Sequence, residues 1–277
     1  MITFVPAGGL GNRMKAIAAA IRLAQDVKQP LQIVWFQDWG LGCRYDDLFE
    51  PLEMADVTLK EASFLDLLTR DVPRRRNLWI PRMYERLHYD AAMDWKTAAT
   101  AFQEGFDFVA WARGRDVWLS SCHYFMSEDI PDDAFAVFTP TAPLLERIRQ
   151  TADTFEPGII GVHIRRTDNE SAIRQSPTSL FIERMRQEPA DRQFYLATDS
   201  EDVKRQLRDQ FGKRILTAPF KAERGNRAGM ENALVEMYLL ASTSRIIGTA
   251  ASTYSMTAAT IGGIPIEILS LSAADSH

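Results

Sequence analysis

The sequence has few of the residues that bind metals or form disulfide frameworks. It contains two cysteines and four histidines among 277 residues, and its histidines do not have the spacing of a zinc site such as HExxH. Cys43 and Cys122 lie far apart in the chain, and single cysteines of this kind are usually buried thiols. We therefore expect no metal site and no disulfide scaffold.

Long apolar runs and an excess of basic residues are also missing. No window approaches about 18 consecutive apolar residues, and the first residues lack the pattern of a signal peptide. The formal net charge is −5, whereas general nucleic-acid-binding proteins are usually basic. These absences predict a cytoplasmic protein that has no membrane span and binds no nucleic acid. They do not indicate an oligomeric state.

The residues that are present have the balance of a folded α/β protein, with 46% hydrophobic and 25% charged residues. A strand at 2–5, a glycine turn, an apolar helix stripe over 14–24 and a strand at 31–36 begin a parallel βαβ unit. From 40 to 115 the pattern is too weak to assign elements. A further strand is predicted at 117–121.

The second half of the chain alternates strand and helix more clearly. Strands are predicted near 159–164, 194–198, 214–217, 245–249 and 265–269, and helices near 143–152, 178–187, 203–211, 230–241 and 252–261. This alternation is typical of a doubly wound parallel sheet. We therefore predict an α/β protein with two Rossmann-like domains facing each other across a cleft, an N-terminal domain over 1–140 and a C-terminal domain over 141–277.

The sharpest local motif runs from His163 to Asp168, directly after the predicted strand at 159–164. In open α/β sheets, ligands collect at this end of the strands. Arg165 and Arg166 need an anion or a carboxylate there, because an unpaired charge beside a buried strand is costly. A guanidinium fork matches phosphate oxygens. The arginine pair therefore predicts a phosphate site, and an ion pair with Asp168 that only stabilises the loop explains it equally well.

A glycine loop follows the first predicted strand and includes Gly9, Gly11 and Asn12. Its glycines permit close approach of a ligand, and the start of the next helix favours negative charge. The spacing is not GxGxxG, which argues against a nicotinamide dinucleotide site. A tight turn without a ligand is the alternative.

Two further segments lie at predicted helix starts. Ser252, Thr253 and Ser255 follow the strand at 245–249, where hydroxyl groups either donate to a phosphate or cap the helix. Asp199 follows the strand at 194–198. Its carboxylate can accept hydrogen bonds from a base or a ribose, although the local pattern favours an N-cap. All of these segments fall where one cleft can gather them.

Together the motifs resemble those of the α1,6-fucosyltransferases, a family that includes the rhizobial Nod-factor enzyme and the eukaryotic core enzyme. The matching segments, in chain order, are 163–168, 195–199, 236–241 and 249–255, and the glycine loop at 8–13 is similar to that of the wider fucosyltransferase superfamily. Residues 40–140 carry no match. The resemblance implies a GT-B fold and an inverting transfer from GDP-fucose to a glycan or other hydroxyl acceptor, with no metal and no separate cofactor.

The resemblance also implies roles for single residues. Arg165 is expected at the β-phosphate, Asp199 near the guanine, and an acid shortly after the arginine pair as catalytic base. Glu170 is the nearest such acid, at a shorter spacing than in the eukaryotic enzymes, and Asp168 is the alternative. The implied donor-binding residues are Gly9, Gly11, Asn12, His163, Arg165, Arg166, Asp199, Ser252, Thr253 and Ser255.

Two other functions remain compatible with the sequence. A protein with this scaffold can bind a nucleotide sugar without catalysing its transfer, and the uncertain base keeps this alternative open. A nicotinamide-dependent oxidoreductase that uses the first βαβ unit is the other alternative, although the glycine spacing argues against it.

Overall fold

Two parallel β-sheets form the framework of the protein. The computed structural model describes residues 1–38, 40–70, 80–127, 129–167, 170–219 and 223–271. The chain divides into a first unit, Met1–Thr141 with Arg224–Arg227, and a second unit, Ala142–Glu223 with Ala228–His277. The sequence predicts a single boundary near residue 140, which does not account for the segment Arg224–Arg227 of the first unit. The acceptor-side and donor-side roles of the two predicted domains stay predictions.

The sheet of the first unit has the strand order β3-β2-β1-β5-β4, and neighbouring strands pair in parallel. Its strands are β1 (Ile2–Pro6), β2 (Leu31–Trp35), β3 (Val57–Glu61), β4 (Ala91–Met93) and β5 (Val117–Ser121). Its helices are α1 (Leu10–Val27), α2 (Phe64–Thr69), α3 (Ile80–His88), α4 (Trp95–Gln103) and α5 (Phe108–Ala112). All five residues of β1 are buried, as expected for the central strand of a parallel sheet.

The first helix forms for the reason that its sequence pattern indicates. Met14, Ile17 and Ile21 recur on one face of α1 and are buried, so the apolar stripe packs against the protein core. The helix ends at Lys28, whose left-handed backbone (φ 55°) lets its N–H bond to the last turn. Pro30 follows and cannot extend the helix.

The sheet of the second unit has the strand order β10-β9-β6-β7-β8, again with parallel pairings. Its strands are β6 (Ile160–Ile164), β7 (Phe194–Thr198), β8 (Ile215–Leu216), β9 (Ile246–Thr249) and β10 (Ile266–Leu269). Its helices are α6 (Ala142–Ala152), α7 (Glu170–Gln175), α8 (Thr178–Arg186), α9 (Glu201–Phe211), α10 (Arg227–Ala241) and α11 (Thr253–Gly262). A core cluster that includes Val162, Phe181, Leu196 and Leu207 lies between β6, β7 and their helices.

The predicted α/β class with parallel sheets is confirmed, and most predicted elements of the second unit are present within two or three residues. The strand predicted at 214–217 shortens to β8, because Gly212–Arg214 forms a 3₁₀ turn. Between 40 and 115, where the sequence pattern was too weak, the structure has β3, β4 and helices α2 to α5. Across the described ranges, none of the helices has both the length and the apolar character that a bilayer crossing needs.

Candidate functional site

The arginine motif lies at the topological switch point of the second sheet. The chain winds from β6 to β7 and β8 on one side, then returns to β9 on the other side of β6. Crevices at such points collect ligands. The Thr249 hydroxyl joins the two loops, since it donates to the His163 carbonyl (2.9 Å) and accepts from the Arg165 N–H (3.2 Å). The segments after β6 and β9 are therefore held side by side.

The half-buried Arg166 guanidinium is bound by neutral acceptors of its own unit. Its Nε and Nη2 donate to Thr178 Oγ1 at 3.2 and 3.0 Å, and Nη2 also donates to the Ser176 carbonyl at 2.8 Å. Its Nη1 donates to the Arg165 carbonyl at 2.6 Å. Because no carboxylate takes part in these bonds, they fix the side chain without cancelling its charge.

The Asp199 carboxylate braces the arginine loop from the neighbouring strand. Its Oδ1 accepts from the Arg166 N–H at 2.7 Å, and its Oδ2 accepts from the N–H and hydroxyl of Thr167 at 3.1 and 2.7 Å. The N-cap role favoured by the local pattern is wrong, because Ser200 caps α9 and its hydroxyl accepts from the Val203 N–H. Asp199 instead links the end of β7 to the loop after β6.

The start of α11 carries hydroxyl groups without partners. Ser252 occupies the N-cap position but makes no side-chain capping bond, so capping does not explain this hydroxyl. Ser252 and Ser255 are buried, and neither hydroxyl has a hydrogen-bond partner in the described part of the chain. A buried hydroxyl left unpaired costs about 1–3 kcal/mol. Thr253, the first residue of the helix, is half-buried beside them. The helix that follows Thr249 thus begins with hydroxyl groups that have no partner among the described residues.

A buried polar cluster, His163, Tyr195, Glu236 and Tyr254, lies in the same unit. The His163 ring is 8% exposed and packs on the Tyr254 ring with centroids 4.9 Å apart. Its Nδ1 has no partner. Burial lowers the pKa of His163 to about 4, with Asp199 opposing the shift and Arg165 adding to it. The imidazole is therefore neutral at pH 7.

Glu236 is the most unusual member of this cluster. It is 4% exposed, and neither its Oε1 nor the buried Tyr195 hydroxyl has a hydrogen-bond partner among the residues that the structure describes. Burial raises the pKa of Glu236 to about 8, Asp199 adds to the shift and Lys204 opposes it. Glu236 is not among the site residues predicted from the sequence. The signal was present, because an acid interrupts the buried apolar run of α10.

The predicted base candidates have different positions in the described chain. Glu170 is the first residue of α7 and is exposed. Asp168 lies outside the described residues, and so does the predicted ion pair between this residue and the arginines. The described part of the chain contains no group of three His, Cys, Asp or Glu residues that can hold a metal ion.

The glycine loop lies at the switch point of the first sheet, where β1 is flanked by β2 and β5. Gly9 is the N-cap of α1 and makes no side-chain bond, and the buried Asn12 Oδ1 has no partner. Gly8, which the sequence analysis did not select, has φ 84°, and a Cβ there would lie 2.9 Å from Asn12 Nδ2. Arg13 is fully buried and pairs with Asp38 at 2.9 Å. The loop is therefore a tight turn, and the backbone N–H groups at the start of α1 receive no hydrogen bond from a capping side chain.

Comparison with known proteins finds similarity in structure alone. No protein-family profile and no curated protein sequence matches the chain. The structure is similar to NodZ α-1,6-fucosyltransferase soaked with GDP-fucose, with a TM-score of 0.64 and 19% identity over 94% of this chain and 92% of that chain.

Two more distant fucosyltransferases share the fold. A variant of Arabidopsis thaliana FUT1 in complex with GDP has a TM-score of 0.61 and 14% identity over 96% of this chain and 69% of that chain. POFUT1 in complex with GDP has a TM-score of 0.56 and 9% identity over 97% of each chain. The chain therefore has the GT-B fold of the fucosyltransferases, and the resemblance predicted from its motifs is confirmed at the level of the fold.

Proposed function

We propose that the protein is a glycosyltransferase that transfers fucose from GDP-fucose to a glycan or other hydroxyl acceptor, with inversion and without a metal ion. One observation carries the proposal: at the switch point the loop of Arg165 is hydrogen-bonded to Thr249, and the helix that follows Thr249 begins with the buried hydroxyls of Ser252 and Ser255, which have no partner among the described residues. Solved structures with this fold include complexes with GDP and GDP-fucose, which supports that class of donor.

The diphosphate is the part of the donor that this arrangement suits best. Departure of GDP builds negative charge on the β-phosphate, so a fixed guanidinium stabilises the transition state more than the ground state. Arg165 supplies that group from the loop held by Thr249 and Asp199. Arg166, bound by Ser176 and Thr178, adds charge and fixes the loop. The backbone N–H groups at the start of α11 donate to the same anion.

Glu236 suits the guanine base better than Asp199 does. The oxygens of Asp199 already accept three bonds from the arginine loop, whereas Glu236 Oε1 has no donor among the described residues. Guanine presents a ring N–H and an amino group side by side, and the ionised carboxylate accepts from both. Because burial raises the pKa of Glu236 to about 8, binding of the base at neutral pH displaces the proton of Glu236. Adenine has a ring acceptor at the equivalent position, which a carboxylate repels. Glu236 therefore selects guanine, with His163 and the two tyrosines forming the surrounding wall.

The inverting attack requires a base at the acceptor hydroxyl. Glu170, exposed at the start of α7, is the proposed base, and Asp168 is the alternative. Glu170→Gln and Asp168→Asn test the two assignments separately. The variant that loses transfer while it keeps its affinity for GDP identifies the base. Gly9, Gly11 and Asn12 are further proposed donor contacts, since their loop leaves the α1 start uncapped.

Calorimetric titration of GDP into wild type and Arg165→Ala tests the diphosphate site. We expect the variant to keep its fold and lose at least tenfold in affinity, because a charge-assisted hydrogen bond is worth about 1.5–3 kcal/mol. Arg174→Ala, which removes an exposed arginine of α7, is the matched control. A wild-type protein that binds no GDP contradicts the donor, and unchanged binding by Arg165→Ala contradicts the role of this arginine.

Turnover separates the enzyme from a non-catalytic binding protein with the same scaffold. GDP release from GDP-fucose, measured with and without a panel of glycan acceptors, is expected for the enzyme. Binding of GDP-fucose without hydrolysis or transfer to any acceptor favours the non-catalytic alternative. A thermal-shift panel that includes nicotinamide dinucleotides tests the oxidoreductase alternative in the same experiment.

A further inference from the structure

The first unit contains a polar cavity of about 490 Å³ that the proposed donor site does not use. It lies along β4 and is walled by α3 and the start of α4. In the described part of the sheet β4 is an edge strand that pairs with β5 alone. The volume lies within the range of about 300–1,000 Å³ that is usual for small-ligand sites. The chemistry of its lining therefore indicates which ligand it accepts.

Acceptor oxygens line one part of this cavity. Glu85 of α3 has a buried Oε1 that receives no hydrogen bond from a described residue. Asp94 uses its Oδ1 to cap α4 through the Lys96 and Thr97 N–H groups, and its Oδ2 receives no hydrogen bond from a described residue. Burial raises the pKa of Glu85 to about 7, and Asp94 adds to this shift. The two carboxyl groups thus lie close enough to interact and have capacity for donors.

Two guanidinium groups line the cavity as well. Arg82 and Arg86 project from α3 one turn apart and are exposed. Neither forms an ion pair or a hydrogen bond within the described residues. Tyr89 adds an aromatic ring, and its hydroxyl accepts from Arg70 Nε at 3.3 Å. The cavity thus combines planar donors, planar acceptors and an aromatic surface.

This mixture distinguishes between classes of ligand. An anion that binds Arg82 and Arg86 is repelled by the carboxyl groups of Glu85 and Asp94. A simple cation is repelled by the two arginines. A sugar matches both sets, because each hydroxyl donates to a carboxylate and accepts from a guanidinium. A peptide strand added to β4 gains few main-chain bonds, since β4 has only three residues.

We infer that this cavity of the first unit binds a saccharide and holds a part of the glycan acceptor. The role in acceptor binding rests on the proposed glycosyltransferase function, whereas saccharide binding itself does not. Glu85 and Asp94 accept from sugar hydroxyls, and Arg82 and Arg86 donate to them. None of these four side chains belongs to the donor site in the second unit.

Saturation-transfer NMR with a panel of neutral oligosaccharides, on the full chain, tests the inference. The panel contains glucose, mannose, galactose and N-acetylglucosamine oligomers. We expect at least one to bind above pH 8, where Glu85 is ionised. Under these conditions Glu85→Gln and Arg86→Ala should each weaken binding about tenfold or more, since each removes a charge-assisted bond. Glu104→Gln and Arg113→Ala remove exposed charges of the same unit outside the cavity and serve as matched controls. Thermal melting verifies that each variant is folded.

The outcomes separate this inference from the proposed function. Binding of no saccharide overturns the inference, and so does equal binding by wild type, Glu85→Gln and Arg86→Ala. A peptide library that binds while every saccharide fails overturns it in favour of strand addition at β4. GDP affinity and GDP-fucose hydrolysis are expected to be unchanged in the cavity variants. Failure of wild type to bind GDP contradicts the proposed function while the saccharide result still stands.

Discussion

Replacing Glu236 by Gln should remove a loss of folding stability that the wild-type protein shows as the pH rises. In the unfolded chain a glutamate ionises near pH 4.3, whereas burial raises the pKa of Glu236 to about 8 in the folded protein. The folded state therefore holds a proton that the unfolded state has lost over the intervening pH range. The stabilisation that comes from this proton is complete below about pH 4 and is lost as the pH rises through 8.

The size of the effect follows from this difference in pKa. Each tenfold change in proton affinity is worth about 1.36 kcal/mol, so the full window corresponds to on the order of 5 kcal/mol. Glu236 is 4% exposed and its Oε1 has no partner, so solvent screens this cost little. Glutamine keeps the shape of the side chain and carries no ionisable group. We expect similar stability of the two proteins at pH 5 and a more stable variant at pH 9.

Chemical denaturation of wild type and Glu236→Gln between pH 5 and pH 9 measures this difference. All other titrations cancel when the two curves are subtracted, provided that the unfolding of the second unit is followed. Glu231→Gln, on the same helix, controls for the loss of one helix carboxyl group. Parallel curves for wild type and Glu236→Gln would refute the reasoning, because they would mean that Glu236 has no elevated pKa. Saturating GDP should flatten the wild-type curve if the base binds Glu236.

Three further changes test the contacts that hold each unit together. Arg166→Lys removes the planar fork that binds Ser176 and Thr178, and should cost about 1–3 kcal/mol of stability in denaturant titrations and weaken GDP binding. Burial alone would raise the pKa of Asp66, but Lys60 and other donors lower it to about 2. Asp66→Asn should therefore lower the free energy of unfolding by about 2 kcal/mol at neutral pH. This loss should shrink as the pH falls from about 4 towards 2, because wild-type Asp66 is then protonated as well. Gly42→Ala places a Cβ 2.6 Å from a backbone carbon of Gly225, so its melting temperature should fall. Gly225→Ala, where an added Cβ meets open space and the backbone does not have a positive φ, should stay close to wild type.

The second sheet was predictable because its strands are continuous apolar runs bounded by turn residues. All five residues of β6 and of β7 are buried, and buried strands of this kind leave a clear pattern in the sequence. The region from 40 to 115 was not predictable for the opposite reason. Strand β3 has no fully buried residue, and α2 and α5 have only six and five residues. Short, partly exposed elements form through tertiary contacts and leave no long periodic pattern.

The candidate site was predictable in its location but not in the role of each residue. Local reasoning treats Asp199 as an N-cap because it precedes a helix, and it cannot see that the loop beside it supplies three donors. It also cannot show that the Ser252 hydroxyl makes no capping bond. Glu236 escaped selection because its significance depends on burial, which appears only when α10 packs against the sheet.

The strand register explains why these residues meet. Ile164 pairs with Thr198 and His163 pairs with Gly248, so Arg165, Asp199 and Thr249 leave the sheet on neighbouring strands at nearly the same height. A shift of one residue in either pairing would separate these groups and turn each side chain to the opposite face. Gly248 allows the start of α11 to pack closely on β9, because a Cβ at this position would lie 2.9 Å from Ser255 Oγ. The position of Ser255 against β9 thus depends on the absence of a side chain at Gly248, which pairs with His163 two residues before Arg165. The packing of α11 on the sheet therefore helps to set the geometry of the proposed diphosphate site.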